Sequence, residues 1–196
     1  MNPPIILASG SAIRARILEG AGVPFRAVKP DVDEGAIKRA NAGIDLEALA
    51  MRLAEAKALA ADAPPEALVI GSDQILEFEG RAFDKPASMN EARARLLEMA
   101  GATHTLINAV AAARGGKIVF RHLDRPKLFV RALVENELDE YLDAAGPDIL
   151  ASVGAYQVES FGARLFEKIE GDYFAVLGLS LFPLLAFLRR EGAIGF

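Results

Sequence analysis

The sequence predicts an α/β fold in which a mixed, twisted β-sheet is flanked by helices. Strand-like and helix-like segments alternate along the chain, which favours crossover connections. Two long strand-like runs, 103–114 and 117–130, flank Gly115-Gly116 and predict an antiparallel hairpin. A sheet with both kinds of connection is mixed, and 196 residues are enough to form it as one domain over residues 1–196.

The first predicted strand and helix meet in a turn of small residues. The apolar run 5–8 ends at Ser9-Gly10-Ser11, and a basic amphipathic helix with Arg14 follows. A helix that begins in such a turn presents unpaired N–H groups and the positive end of its dipole, so it suits an anion such as phosphate. Capping by serine explains the same pattern, so the turn alone leaves both interpretations open.

The next elements are a strand and a helix. Residues 25–29 predict a second strand, which ends at Pro30 and leads into an acidic loop over residues 31–34. From residue 45 to residue 61, apolar side chains recur at helical spacing with charged side chains between them, which predicts a helix.

The middle of the chain predicts a buried strand followed by a turn. Residues 67–70 are continuously apolar, as in a strand covered on both faces. We expect this strand to stop at Gly71-Ser72-Asp73-Gln74 and an extended segment to resume over residues 75–78. Ser88, with Glu91 three residues later, predicts a capping box for a helix that ends near residue 100.

The last third of the chain continues the alternation. Residues 135–145 predict a helix, residues 152–158 a strand, and residues 179–190 the last helix. His104 and His122 stand on opposite arms of the hairpin without companions at metal-ligand spacing. We therefore interpret both histidines as polar strand-face residues.

Composition and charge exclude several classes of protein. The formal net charge is −5, whereas a protein that coats nucleic acid needs a basic surface. The chain has no cysteine, which excludes disulfides, thiolate nucleophiles and Cys-ligated zinc. The N-terminal apolar run ends too early for a signal peptide, and the apolar segment 174–188 is interrupted and too short for a bilayer. We expect a cytoplasmic protein without membrane or nucleic-acid partners.

Asp73 is the strongest candidate for chemistry, because ligands of α/β sheets bind at the carboxyl ends of strands. A carboxylate there can activate a water as general base or hold a divalent cation. The alternative is a loop aspartate that caps the next turn. The other carboxylates, Asp31, Asp33 and Glu34, offer oxygen ligands for magnesium or manganese, or else form a solvated acidic loop.

Two lysines are weaker candidates. Lys57 lies on the predicted helix and would ordinarily be a surface charge. Lys85 precedes Pro86 in a short loop, where it is either a phosphate contact or simply exposed to solvent.

Seven short blocks, taken together and in this order, resemble the Maf family of nucleoside triphosphate pyrophosphatases. The blocks are Leu7-Ala8-Ser9-Gly10-Ser11 with Arg14, Asp31-Val32-Asp33-Glu34, Lys57, Ile70-Gly71-Ser72-Asp73-Gln74, Asp84-Lys85-Pro86, Gly154-Ala155-Tyr156, and Ile169-Glu170-Gly171-Asp172-Tyr173 with Val176-Leu177-Gly178-Leu179. The resemblance implies a two-lobed, Maf/ITPase-like architecture with a cleft. It also implies a cytoplasmic, metal-dependent house-cleaning enzyme, often a homodimer. Such an enzyme splits noncanonical or modified nucleoside triphosphates between the α and β phosphates into monophosphate and pyrophosphate.

The resemblance also implies roles for individual residues. Asp73 takes the position of the proton acceptor. Four residues match positions that contact phosphate: Ser9, Arg14, Lys57 and Lys85. Glu34 matches a carboxylate near the metal, so the expected metal site is Glu34 with Asp73, and the expected cofactor is Mg²⁺ or Mn²⁺.

Ile13, Gln74 and Glu159 match the positions that vary with the substrate. Family members that act on thymidine and uridine triphosphates typically carry Arg, Thr and Gln there. Gln74 and Glu159 instead resemble the branch that hydrolyses 7-methylguanosine triphosphate. A carboxylate at position 159 can accept from the N1–H and amine of a guanine edge, and it would favour the positive charge of a methylated guanine. An exposed strand glutamate is the alternative interpretation.

The chain departs from the family pattern in the phosphate-binding turn. Ala12 and Ala15 stand where Pro and a second Arg are common, Arg16 comes one position later, and Ile13 replaces an aromatic residue. A nucleotide-binding regulator of cell division with little catalysis is therefore an alternative, as is a pyrophosphatase that prefers dTTP or UTP. A third alternative, a phosphomonoesterase on a similar fold, lacks its aspartate nucleophile motif here.

Overall fold

The structure, a computed structural model, describes residues 2–196, which form an eight-stranded sheet. Its strands are β1 (Ile5–Ala8), β2 (Arg26–Val28), β3 (Leu68–Phe78), β4 (Arg81–Phe83), β5 (Thr103–Arg114), β6 (Lys117–Asp124), β7 (Lys127–Val130) and β8 (Phe166–Glu170). The main order is β2-β1-β3-β5-β7-β8, with β4 added to β3 and β6 to β5. β1 is parallel to β2 and β3, and the other pairs are antiparallel. The predicted mixed sheet is confirmed.

Within residues 2–196, seven α-helices flank the sheet. They are α1 (Ala12–Gly20), α2 (Glu34–Ala40), α3 (Leu46–Ala60), α4 (Met89–Glu98), α5 (Glu135–Ala145), α6 (Tyr173–Val176) and α7 (Leu181–Arg190). Two 3₁₀ segments, Pro147–Ala151 and Phe161–Leu165, precede β8. None of the helices in this part of the chain has the length and apolar character that a membrane span requires.

One edge of β3 has a gap in its pairing. β1 pairs with residues 68–71 and β4 with residues 76–78, whereas β5 pairs with the opposite edge continuously over residues 69–77. Residues 72–75 therefore have no strand beside them on the β1 and β4 side, over about 13 Å at about 3.3 Å per residue. The gap places these four side chains beside an opening in the sheet.

β3 is continuous, so the prediction that this strand stops at Gly71-Ser72-Asp73-Gln74 is wrong. The presence of glycine at position 71 has another explanation. A Cβ at Gly71 would lie 2.2 Å from the carbonyl oxygen of Ala54 and 2.6 Å from the amide nitrogen of Ala58, both on α3. Gly71 therefore permits a close crossing of helix and strand backbones, and it does not end the strand.

Two other predicted boundaries differ from the structure. The predicted acidic loop at residues 31–34 leads into α2, because the Asp33 carboxylate caps this helix by accepting from the Ala36 N–H at 2.8 Å. The second hairpin arm is two strands, β6 and β7, since Pro126 lacks the N–H that a continuous ladder would need. The Gly115-Gly116 turn itself is confirmed, with both glycines at positive φ.

The predicted secondary structure differs most from the structure in the C-terminal third of the chain. Residues 152–158 are not a strand. The Tyr156 ring lies against Gly154, where a Cβ would be 2.1 Å from the ring, so the chain turns back on itself. Strand β8 was not expected, because its exposed residues Glu167 and Lys168 weaken the apolar alternation that indicates a strand. The last helix, α7, begins at Leu181, and the separate turn α6 precedes it.

His104 lies on β5, in agreement with its interpretation as a polar strand-face residue, but it is buried. Its exposed fraction is 1%, and its Nε2 atom hydrogen-bonds the Tyr156 hydroxyl at 2.6 Å. The ring of Phe166 lies 6.1 Å from the His104 ring. Burial lowers the pKa of His104 to about 4, so the imidazole is neutral at pH 7.

We expect His104 to make the stability of the protein depend on pH below neutrality. The pKa is about 6.5 in the unfolded chain and about 4 in the folded protein, so the unfolded chain binds more protons between these values. The free energy of unfolding should fall by up to about 3 kcal/mol as the pH drops from 6.5 to 4. Urea unfolding at pH 7 and pH 4.5 measures this loss. A His104→Gln variant should lose less, and an equal loss in both proteins would contradict the prediction.

Candidate active site

A cleft of about 980 Å³ opens at the gap in the pairing of β3. It is lined by all nine residues that the sequence singled out for catalysis, binding or specificity: Ser9, Ile13, Arg14, Glu34, Lys57, Asp73, Gln74, Lys85 and Glu159. These residues come from the turn after β1, the start of α1, the helices α2 and α3, strand β3, the loop after β4 and the loop before the second 3₁₀ segment. The fold therefore gathers distant parts of the sequence around one opening.

Asp73 and Lys57 form the centre of the cleft. Lys57 Nζ lies 2.6 Å from Asp73 Oδ1 and 2.9 Å from Glu34 Oε1, so one ammonium group holds two carboxylates. The exposed fractions of Lys57 and Asp73 are 8% and 7%, and the expectation that Lys57 is an ordinary surface charge is wrong. Lys57 reaches inward because it shares a helix face with Ala54, which packs on β3 at Gly71.

Arg14 lies in the first turn of α1, and Ser9 lies in the turn between β1 and α1. Arg14 Nε donates to the carbonyl oxygen of Gly178 at 2.7 Å, and Arg14 Nη1 donates to Ser9 Oγ at 3.3 Å. Burial lowers the pKa of Arg14, and the negative charges of Asp73 and Glu34 oppose that shift. The guanidinium stays protonated at physiological pH, within electrostatic reach of both carboxylates.

The N-terminus of α1 is left without a side-chain cap. Ser11 occupies the N-cap position but makes no side-chain hydrogen bond to the helix. Its own N–H donates to Ser9 Oγ at 3.2 Å. The interpretation of these serines as simple helix caps is therefore wrong, and the first N–H groups of α1 are available to an acceptor in the cleft.

Successive side chains of β3 point to opposite faces of the sheet, so neighbouring residues contact different parts of the molecule. Asp73 faces Lys57 on α3. Ser72 Oγ donates instead to the carbonyl oxygen of Gly178 at 2.9 Å, and Gln74 Nε2 donates to those of Ala175 at 2.8 Å and Val176 at 3.2 Å. β3 thus connects the carboxylate side of the cleft to the segment that contacts Arg14.

The rim of the cleft is basic. Lys85 and Glu159 are both exposed there. Three further cations line the cleft: Arg16, noted above only as a departure from the family pattern, and Lys29 and Lys38, which the sequence did not single out. Lys38 could have been found from its position four residues after Glu34. Residues with this spacing share one face of a helix, and both belong to α2. In all, six basic and four acidic side chains line the cleft, so it is locally positive in a chain of net charge −5.

The acidic residues of the cleft suit a cation that arrives with a polyphosphate. Within residues 2–196, no group of three or more His, Cys, Asp or Glu side chains is arranged to hold a metal ion. Glu34 and Asp73 form a pair, whereas Asp33 caps α2 and Asp31 does not line the cleft. Two carboxylates fit Mg²⁺, which usually completes its shell with waters and substrate phosphates.

Comparisons with known proteins find similarity over nearly the whole chain. The family model described as Maf-like protein matches residues 4–191. A nucleoside triphosphate pyrophosphatase of Caulobacter vibrioides is 48% identical over 193 residues, covering 97% of this chain and 97% of the relative. A protein of the same name from Rhodospirillum rubrum is 47% identical, with 98% and 96% covered. A 7-methyl-GTP pyrophosphatase of Mesorhizobium japonicum is 46% identical, with 99% of each chain covered.

The matched region runs from the residue before β1 to the residue after α7, and it includes every residue that lines the cleft. Fold, cleft and sequence similarity therefore agree over nearly the whole chain, and the protein belongs to the Maf family.

Proposed function

We propose that this protein hydrolyses nucleoside triphosphates to nucleoside monophosphates and pyrophosphate. The observation that carries the proposal is the buried Asp73 carboxylate, held by Lys57 at 2.6 Å in a cleft that also contains the Arg14 guanidinium and the open N-terminus of α1. A positioned carboxylate can accept a proton from water, and the cationic groups can bind the phosphates. The named relatives are pyrophosphatases, which makes the chain a hydrolase of phosphorus anhydrides.

In the proposed reaction, Asp73 accepts a proton from a water molecule as that water attacks the α-phosphorus. The bond from the α-phosphorus to the bridging oxygen breaks, and pyrophosphate leaves with that oxygen. Lys57 fixes the orientation of the Asp73 carboxylate. Arg14, Ser9 and Lys85 bind the phosphates together with the N–H groups at the start of α1, and this stabilises charge that develops on the leaving group. Glu34 and Asp73 would hold the Mg²⁺ or Mn²⁺ ion, which neutralises charge on the phosphates when bound.

Product analysis tests the proposal. The purified protein is incubated with nucleoside triphosphates in H₂¹⁸O, with and without added inorganic pyrophosphatase. We expect orthophosphate only when pyrophosphatase is added, and in the reaction without pyrophosphatase we expect ¹⁸O in the monophosphate and none in the pyrophosphate. Saturable binding without pyrophosphate would instead identify a nucleotide-binding regulator. Orthophosphate as a direct product would identify a phosphomonoesterase.

The preferred base, in our proposal, is a guanine methylated at N7. Gln74 donates its amide hydrogens to two backbone carbonyls, so only its oxygen is available to a ligand. Glu159 is exposed at the cleft and makes no ion pair within residues 2–196. Both positions therefore offer acceptors, which match the N1–H and amine donors of guanine better than the single N–H of uracil or thymine. The 7-methyl-GTP pyrophosphatase of Mesorhizobium japonicum supports the same choice.

The wall that carries Glu159 is held in place by the interior. Tyr156 hydrogen-bonds the buried His104, and the Tyr141 hydroxyl donates to the carbonyl oxygen of Ala155 at 3.2 Å. A carboxylate that follows such an anchored segment is pre-positioned, which favours selection among bases.

We expect Glu159→Gln to change base preference more than catalysis. The new amide nitrogen would oppose the donors of guanine, and an unmatched donor in a recognition site is costly. The ratio of kcat/KM for 7-methyl-GTP to that for UTP should fall by about 10- to 100-fold. The control is Glu167→Gln, which alters an exposed glutamate on β8 away from the cleft. An unchanged ratio in Glu159→Gln, or UTP as the best substrate of the unaltered protein, would contradict the assignment.

A further inference from the structure

We propose that Ser72 and Asn108 are positioning residues that orient the Arg14 guanidinium through one shared acceptor, the carbonyl oxygen of Gly178. The inference rests on the proposed function, in which Arg14 binds phosphate. Ser72 on β3 and Asn108 on β5 are both fully buried, with an exposed fraction of 0%. Neither lines the cleft, so any effect that they have on a ligand must pass through another group.

Three donors converge on the Gly178 carbonyl oxygen. Arg14 Nε lies 2.7 Å from it and Ser72 Oγ 2.9 Å from it. The Asn108 amide nitrogen lies 3.0 Å from it when the amide is oriented so that donors face acceptors. The Asn108 oxygen then accepts from the backbone N–H of Ser180 at 3.2 Å and from the Ser180 hydroxyl at 2.9 Å.

The number of donors exceeds what burial of the carbonyl requires. A carbonyl oxygen has two lone pairs, so Ser72 and Asn108 alone satisfy it. The third hydrogen bond, from Arg14, is therefore not needed by the carbonyl, and its effect is to fix the position of the arginine side chain. Because two central strands hold the Gly178 oxygen, its position is set by the sheet, and the sheet in turn sets where Arg14 Nε must lie.

This anchoring leaves a defined set of donors for a ligand. A guanidinium has five N–H donors in one plane. Gly178 accepts from Nε and Ser9 Oγ accepts from Nη1, which fixes the plane at two points. The second N–H of Nη1 and both of Nη2 are available to phosphate oxygens. Bidentate binding of phosphate depends on the orientation of this plane. A shift of the Gly178 carbonyl would turn the plane and so weaken the hydrogen bonds from Arg14 to phosphate.

A double-mutant cycle on the binding of inorganic triphosphate tests the proposal without any need for turnover. Titration calorimetry measures the dissociation constant for Ser72→Ala and for Asn108→Ala, each in the unaltered chain and in an Arg14→Met background. We expect each substitution to weaken binding about 3- to 10-fold in the unaltered chain. In the Arg14→Met background, which has no guanidinium to orient, neither should weaken binding further.

Thr105→Ala is the matched control, because Thr105 is a buried polar residue of β5 outside the cleft. It should leave triphosphate binding unchanged even where thermal melting shows a similar loss of stability. If Ser72→Ala and Asn108→Ala weaken binding equally in both backgrounds, their role is structural and the proposal is wrong. If Arg14→Met binds triphosphate as the unaltered protein does, the phosphate role of Arg14 in the proposed function is wrong. Pyrophosphate release, assayed separately, distinguishes the two failures.

Discussion

Replacing Asp73 with asparagine should lower kcat by about 10²- to 10⁴-fold, the effect typical of losing a general base. Asparagine keeps the shape of the side chain but cannot take a proton from water. It also leaves Lys57 with one carboxylate partner, Glu34, instead of two. Pyrophosphate release at saturating nucleotide measures kcat. Calorimetry with inorganic triphosphate should show that the variant still binds phosphate, since Arg14 and Lys85 are unchanged.

A second substitution on the same strand provides the control. Glu77 lies four residues after Asp73 on β3, outside the cleft, where its carboxylate accepts from the N–H of Gly80 at 2.7 Å. Glu77→Gln removes the same charge and should keep kcat within about twofold, because surface substitutions away from a site have small effects. Turnover by Asp73→Asn at the level of the unaltered protein would refute the role of Asp73 as general base.

Replacing Lys57 with methionine should lower the free energy of unfolding by about 3–5 kcal/mol. Methionine retains much of the aliphatic length of lysine but has no charge. Asp73, whose side chain is 10% exposed, would then keep a buried charge without a partner, next to the second negative charge of Glu34. Urea unfolding at pH 7 measures the loss. Activity should fall as well, because nothing would then orient the Asp73 carboxylate.

Two comparisons separate a buried charge from general damage. The double variant Lys57→Met with Asp73→Asn should recover much of the lost stability, because no unpaired charge is left at position 73. Lys38→Met removes an ion pair with Asp84 whose side chains are 37% and 81% exposed, and it should cost less than about 1 kcal/mol. A double variant no more stable than Lys57→Met alone would show that packing, and not charge, explains the loss.

The elements that were predictable from the sequence depend on local chemistry. The Asp45 carboxylate caps α3 by accepting from the Ala48 N–H at 3.1 Å, and apolar periodicity runs through that helix. Ser88 caps α4 through the Glu91 N–H at 3.2 Å, although the Glu91 carboxylate bonds the N–H of Ala87 and not that of Ser88. Such signals need only neighbouring residues. The continuity of β3 was not predictable, because the reason for Gly71 is the close approach of helix α3, which is distant in the sequence.

The candidate site shows the same limit. The Ser9-Gly10-Ser11 turn was recognisable as a local pattern. Asp73 was singled out by an expected strand end that β3 does not have, because β3 is continuous over Leu68–Phe78. The resemblance to a family supplied the other residues. The contact between Arg14 and Gly178 joins residues 164 positions apart, and no local pattern encodes it. The burial of Lys57 could not be predicted either, since a lysine on a helix is ordinarily exposed. Only the packing of α3 on β3 turns this side chain inward.

The gap beside residues 72–75 also bears on solubility. An unpaired sheet edge is ordinarily a template on which another chain can add a strand, and long flat edges promote aggregation. Here the open stretch is four residues long and lies between β1 and β4, which occupy the same edge on either side. Ser72, Asp73 and Ile75 in it are buried. A strand from a second molecule cannot extend along so short and recessed an edge, so this break in the sheet is not itself a template for amyloid-like growth.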